Sequence, residues 1–190
     1  MTPLLLQLDD VEHNRRVGEL ALSLARTIGL PESSARRIGA AATLHDVGKL
    51  GIPTSILCKP GPLTRQELKL VRLHTVCGEA ILAETDVPYT RLAASIARGH
   101  HEWWDGSGYP DGLAGEEIPL PARIVALADV FDALTQDRPY RRALDCADAL
   151  ELIEGLAGLQ FEPRLTAAFV DILEPRANVR PLVRALAVTC

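Results

Sequence analysis

The sequence predicts a single all-α domain of about seven to nine helices. Three observations carry this. Apolar residues recur at helical spacing through nearly the whole chain. β-branched residues are scattered and strict alternation is absent, so no segment reads as a strand. No repeat, low-complexity tract or linker divides the 190 residues, a length that one sizeable core can serve.

The elements follow in order. Thr2-Pro3 reads as an N-cap with proline at the first helical position. Leu5, Leu8, Val17, Leu20, Leu24 and Ile28 then recur until Gly29. Pro31-Glu32-Ser33 opens a second helix carrying Ile38, Ala41, Ala42 and His45, which Gly48 is expected to stop. Leu50 to Thr64 is a connector punctuated by glycine and proline. Thr64 and Glu67 have capping-box spacing, ahead of a helix carrying Leu68, Val71 and His74. Further helices are expected over Glu79–Ala83 and Tyr89–Arg98. A long ordered loop then runs to about Pro119 and holds both tryptophans, Trp103 and Trp104. Pro121 to Thr135 is a strongly apolar helix. Helices around Ala147–Ala157, Pro163–Leu173 and Pro181–Val188 end the chain.

Composition excludes several classes. Apolar residues make up 47% and charged residues 24%, which is globular rather than disordered. A net charge of −5 argues against binding DNA or RNA polymers, while leaving room for a local basic pocket. No apolar run has the length of a membrane span. "MTPLLLQLDDVEH" lacks a basic start and turns acidic too early for a signal peptide, so a cytoplasmic protein is expected. Its "PLLLQL" stretch leaves a homodimer open. Cys58, Cys77, Cys146 and Cys190 form no CxxC pair and read as reduced thiols.

In a helical core the informative residues are polar ones on apolar faces. Asp129 sits inside "IVALADVFDAL", where an ionised carboxylate needs a cation or several donors. His45-Asp46 ends "IGAAATLHD". His74 shares a face with Leu70, Val71 and Cys77, and His13 follows Asp9 by one helical turn. Singly, each has an ordinary reading as a satisfied core histidine or a loop-capping carboxylate. Together they differ, because all five histidines fall in such settings. Imidazoles and carboxylates without thiolate suit Mn or Fe better than structural zinc. Neighbours on a helix point about 100° apart, so His45 and Asp46 share a site only off a helix end or across two adjacent metals.

"HNRRV", "AATLHDVGKLGIP", "HTVCGEAIL", "HHEWWDGSGYPDGLAGEEIPL" and "ARIVALADVFDALTQDRPYRRA" occur in this order. With these motifs the chain resembles the HD-GYP domain, the cyclic-di-GMP phosphodiesterase branch of the HD metal-dependent phosphohydrolases. The likeness covers about Asp9 to Phe169, and the C-terminal helices are expected to complete one domain over residues 1–190. It implies a compact HD-type helical fold with two divalent metal ions, Fe or Mn. Their ligands would be His13, His45, Asp46 and Asp129 for one ion, and Asp46, His74, His100 and His101 for the other, with Asp46 bridging. Asp9 stands where some members carry a Glu that ligates a third metal. Lys49, Arg138 and Arg141 match residues that meet the substrate phosphates, and Tyr109 belongs to the Gly-Tyr-Pro wall of the pocket. Trp103 replaces an Arg common in members.

The implied reaction is hydrolysis of cyclic-di-GMP to linear pGpG, with further cleavage to GMP left open. A metal-activated bridging water would attack, with Asp46, Lys49 and Asp129 as catalytic residues. Lys49 or a metal-bound water would protonate the leaving oxygen. The loop is also linked to contacts with diguanylate cyclase domains. Two alternatives stay open: a hydrolase of another cyclic dinucleotide, and a non-catalytic sensor or interaction module.

Overall fold

The computed structural model describes residues 3–84, 89–137 and 142–174, with side chains from Val11 onward. Among these lie nine α-helices and no strand. They are α1 (Pro3–Thr27), α2 (Glu32–Ala42), α3 (Thr54–Leu57), α4 (Arg65–Arg72), α5 (His74–Ala83), α6 (Thr90–Gly99), α7 (Leu120–Thr135), α8 (Cys146–Gly155) and α9 (Pro163–Leu173). Short 3-10 turns occupy Val47–Gly51 and Gly115–Glu117. Arg138, Arg141, Cys190 and the expected helix at Pro181–Val188 lie outside the described residues. Asp9 lies on α1, one turn before His13, where side chains are outside the description.

Helix α7 forms the centre. Ile124, Val125, Ala126, Leu127 and Ala128 are buried in succession, so no face of this stretch meets solvent. It packs against α1, α6, α8 and α9. Val17, Ala21 and Leu24 of α1, Ile96 and Ala97 of α6, and Ile153 and Phe169 of α8 and α9 surround it. Phe131 and Phe169 meet edge to face at 5.5 Å. Small residues on α2 and α6 (Ala35, Ala41, Ala42, Ala93, Ala97) are buried in the same core, leaving little side-chain bulk between neighbouring helices. No helix among the described residues is long and apolar enough to cross a membrane. Cys58 is exposed, and no disulfide joins the described cysteines.

Local chemistry sets most boundaries. The capping box forms: the Glu67 N–H donates to Thr64 Oγ1 at 3.2 Å and the Thr64 N–H to Glu67 Oε2 at 2.7 Å. Two boundaries depart from expectation. Helix α2 ends at Ala42, three residues short of His45. Its last turn tightens, with Leu44 and His45 N–H groups donating to Ala41 and Ala42 carbonyls. Gly48 therefore does not stop α2. It allows a close approach instead, since a Cβ there would lie 1.8 Å from the His74 carbonyl oxygen. His74 also does not sit within the helix of Leu68 and Val71: Leu73 separates α4 from α5, and His74 opens α5.

Candidate metal centre

Five elements bring seven predicted side chains to one place. His13 comes from α1, His45 and Asp46 from the turn after α2, and His74 from the start of α5. His100 caps α6, His101 follows it, and Asp129 comes from α7. The Gly48 contact with α5 sets Asp46 against His74. His13 Nε2 lies 3.3 Å from Asp129 Oδ1, and His45 Nε2 lies 3.8 Å from the same oxygen.

Asp46 stands between two histidine sets. Its Oδ2 is 3.4 Å from His45 Nε2, while its Oδ1 is 3.4 Å from His74 Nε2 and 4.0 Å from His100 Nε2. Donor atoms of His74, His100 and His101 lie within 4.8 Å of one another, as do those of His13, His45 and Asp46, and those of His45, His100 and Asp129. These groups could each hold a metal ion.

The rings are aimed by their outer nitrogens. His45 Nδ1 meets the Ala42 carbonyl at 2.8 Å, His74 Nδ1 the Val71 carbonyl at 2.6 Å, and His100 Nδ1 the Ala97 carbonyl at 3.0 Å. A carbonyl only accepts, so each Nδ1 donates, and the lone pair of the neutral ring is left on Nε2, facing the centre. His45 Nε2 is buried and has no hydrogen-bond partner. Such an orphaned acceptor is costly unless a ligand occupies it, and a divalent cation fits this donor set.

Charge is arranged unevenly. Burial drives His100 well below its ordinary value, and the adjoining imidazoles of His101 and His45 add to this. Burial likewise lowers His74 and brings His101 down to about 4. On the other side, burial opposes the charged form of His13, but hydrogen bonds to Asp129 and Asp132 outweigh it and raise the ring to about 9. Burial also opposes ionisation of Asp46 and Asp129, yet the nearby imidazoles hold both well below the usual carboxylate range. Lys49 donates to Asp46 from the next turn, so its ammonium stands beside that carboxylate.

The Gly-Tyr-Pro loop walls the centre. Glu102 is buried, and its carboxylate accepts the backbone N–H groups of Asp111, Gly112 and Leu113 at 2.6, 3.2 and 3.1 Å. The Tyr109 N–H donates to the His101 carbonyl at 3.1 Å. A Cβ at Gly108 would stand 2.3 Å from the Trp103 nitrogen, so glycine lets the loop fold onto its own root. Tyr109 stacks on His101, with centroids 4.9 Å apart. On the far side, Trp104 and Asp105 N–H groups donate to Gln160 and Leu159 carbonyls. Nothing in the structure explains Trp103 in place of Arg.

Two contributors were not read from the sequence. Asp132, one turn past Asp129, meets His13 Nδ1 at 2.6 Å. Arg16 holds the same carboxylate through Nε at 2.5 Å and Nη2 at 3.0 Å. The available signal was a second carboxylate at i+3 in an apolar helix. Glu79, Arg98 and Asp111 line a separate cleft, where Arg98 pairs with both acids.

The chain resembles known proteins over most of its length. A family model described as HD domain matches residues 8–165. A cyclic di-GMP phosphodiesterase of Thermotoga maritima is 44% identical over 160 residues, covering 84% of this chain and 44% of that protein. A 3′3′-cGAMP-specific phosphodiesterase 2 of Vibrio cholerae is 43% identical over 159 residues, covering 84% of this chain and 30% of that one. The chain thus spans less than half the length of either relative. Among solved structures, an HDG"Y"P protein from Bdellovibrio bacteriovorus superposes with a TM-score of 0.68 at 21% identity, covering 87% of this chain and 52% of that one. That likeness concerns the fold.

Proposed function

The chain belongs to the HD domain family, and from this premise we propose that it is a metal-dependent phosphodiesterase that hydrolyses cyclic-di-GMP to pGpG and onward to GMP in the cytoplasm. The observation that carries the reading is the Asp46 carboxylate, whose two oxygens face separate histidine sets beside an unpartnered His45 Nε2. His13, His45, Asp46 and Asp129 would hold one ion, and Asp46, His74, His100 and His101 the other. Fe or Mn suits these donors. When bound, the ions would acidify a water and offset charge on the phosphate oxygens.

The chain's own groups supply orientation and charge. The backbone carbonyls behind His45, His74 and His100 fix the ring tautomers before any ligand arrives. Lys49 lies close enough to Asp46 to meet a phosphate oxygen or to protonate a leaving oxygen. The Tyr109 ring, packed on His101, limits water on that side. Arg138 and Arg141 are proposed to face the substrate and orient it, and Asp9 to ligate a third ion. Residues 1–190 are proposed to form one such domain, with the loop as its face toward diguanylate cyclase domains.

The identity shared with a 3′3′-cGAMP-specific relative supports a second reading, in which the mixed dinucleotide is preferred. Metal content measured beside turnover of cyclic-di-GMP and 3′3′-cGAMP tests both. The proposal expects hydrolysis that requires the metal, with cyclic-di-GMP turned over faster. Metal-replete protein that cleaves neither would leave a sensor or interaction module.

A further inference from the structure

Arg72 is the last residue of α4, two positions before His74. Its backbone is tied down, because the Thr75 hydroxyl donates to the Arg72 carbonyl at 3.0 Å. Its guanidinium carbon lies 4.7 Å from the centre of the Tyr109 ring, and Tyr109 in turn stacks on His101. The residue is nonetheless exposed. No described carboxylate or carbonyl accepts a hydrogen bond from its side chain, unlike Arg15, Arg16, Arg26, Arg36, Arg98 and Arg123, which are all paired with acids.

A guanidinium held over a ring without an acid partner keeps N–H groups available to an anion. Its N–H fork matches a phosphate in geometry and charge. The Tyr109 contact also restricts the side chain before binding, so less entropy is lost when an anion arrives. Arg72 thus stands one aromatic ring beyond His101, at the rim of a centre suited to a single phosphodiester. A cyclic dinucleotide has two phosphodiesters joined in one ring, so its second phosphate must lie beside the first.

We propose that Arg72, held over the Tyr109 ring, binds the phosphate of a cyclic dinucleotide that does not sit at the His–Asp centre. The assignment rests on the phosphodiesterase reading above. It makes Arg72 a residue that selects substrates with two phosphodiesters over those with one.

The test compares two substrates on the manganese-loaded full chain. Cyclic-di-GMP carries both phosphates, while bis(p-nitrophenyl) phosphate carries only the one to be cleaved. Arg72→Ala is expected to raise KM for cyclic-di-GMP about ten- to a hundred-fold, as for loss of a charged hydrogen bond. Its kcat should stay within about two-fold, because the reacting phosphate is not the one touched. Turnover of bis(p-nitrophenyl) phosphate, metal content and melting temperature should match wild type. Arg72→Lys keeps the charge but loses the fork, and should fall between. An unchanged KM for cyclic-di-GMP would overturn the proposal. So would an equal loss on both substrates, which would place Arg72 in support of the centre itself. Equilibrium binding of cyclic-di-GMP to the same preparations separates this from failure of the parent reading. Wild type that binds but does not hydrolyse sinks the phosphodiesterase reading, and Arg72 is then judged by the ratio of Kd values.

Discussion

His13 and Asp132 are joined by a 2.6 Å contact between Nδ1 and Oδ2, across 119 residues of chain. Asp132 is itself buried and gripped by Arg16, so the ring of His13 has one favoured orientation, with Nε2 turned to Asp129. A carboxylate behind a ligating imidazole fixes its tautomer and raises its basicity.

Asp132 is therefore expected to govern metal retention without touching the metal. Asp132→Asn should weaken binding about ten- to a hundred-fold, measured by competition against a chelator. Arg16→Ala should weaken it less, because the carboxylate remains. Unchanged retention in Asp132→Asn would show that the backbone alone aims His13.

Glu102 tests the loop separately. Its carboxylate accepts three backbone N–H groups at the foot of the Gly-Tyr-Pro segment. Glu102→Ala would strand those donors, at a cost of about 2–3 kcal/mol. Hydrogen exchange should accelerate over residues 105–114, and KM for the dinucleotide should rise. Metal content should persist, because His100 Nδ1 keeps the Ala97 carbonyl and His13, His45, Asp46, His74 and Asp129 come from other elements.

Gly48 tests the joint between the turn and α5. Any side chain there meets the His74 carbonyl, so Gly48→Ala must push the two apart. The mutation should lower stability by about 1–3 kcal/mol, as overpacking does. It should also loosen metal binding, because Asp46 and His74 face each other across this joint. Thermal melting with and without Mn would read both effects. A wild-type metal-induced rise in melting temperature would argue against the coupling.

Much of the architecture was legible because local chemistry decides it. Proline at the first position of α9 and the Thr64–Glu67 box mark their helices from sequence alone. The end of α2 was not legible. It is set where Leu44 and His45 tighten onto Ala41 and Ala42, with Thr43 Oγ1 donating to the Ala40 carbonyl. Nor was the α4–α5 break, since Leu73 is neither glycine nor proline. In the centre, the histidines and Asp129 stood out as polar residues on apolar faces. Asp132, Arg16 and Arg72 did not, because charged residues on helices read as solvent-facing until a distant partner is seen. Arg16 meets that partner 116 residues away.

The central claim is that Asp46 joins two metal positions. It is tested most directly by metal content and cyclic-di-GMP turnover of Asp46→Ala beside wild type. Wild type is expected to hold about two ions per chain and to hydrolyse cyclic-di-GMP. In Asp46→Ala a marked loss of bound metal and no detectable turnover are expected. Full metal loading with wild-type turnover in Asp46→Ala would contradict the claim.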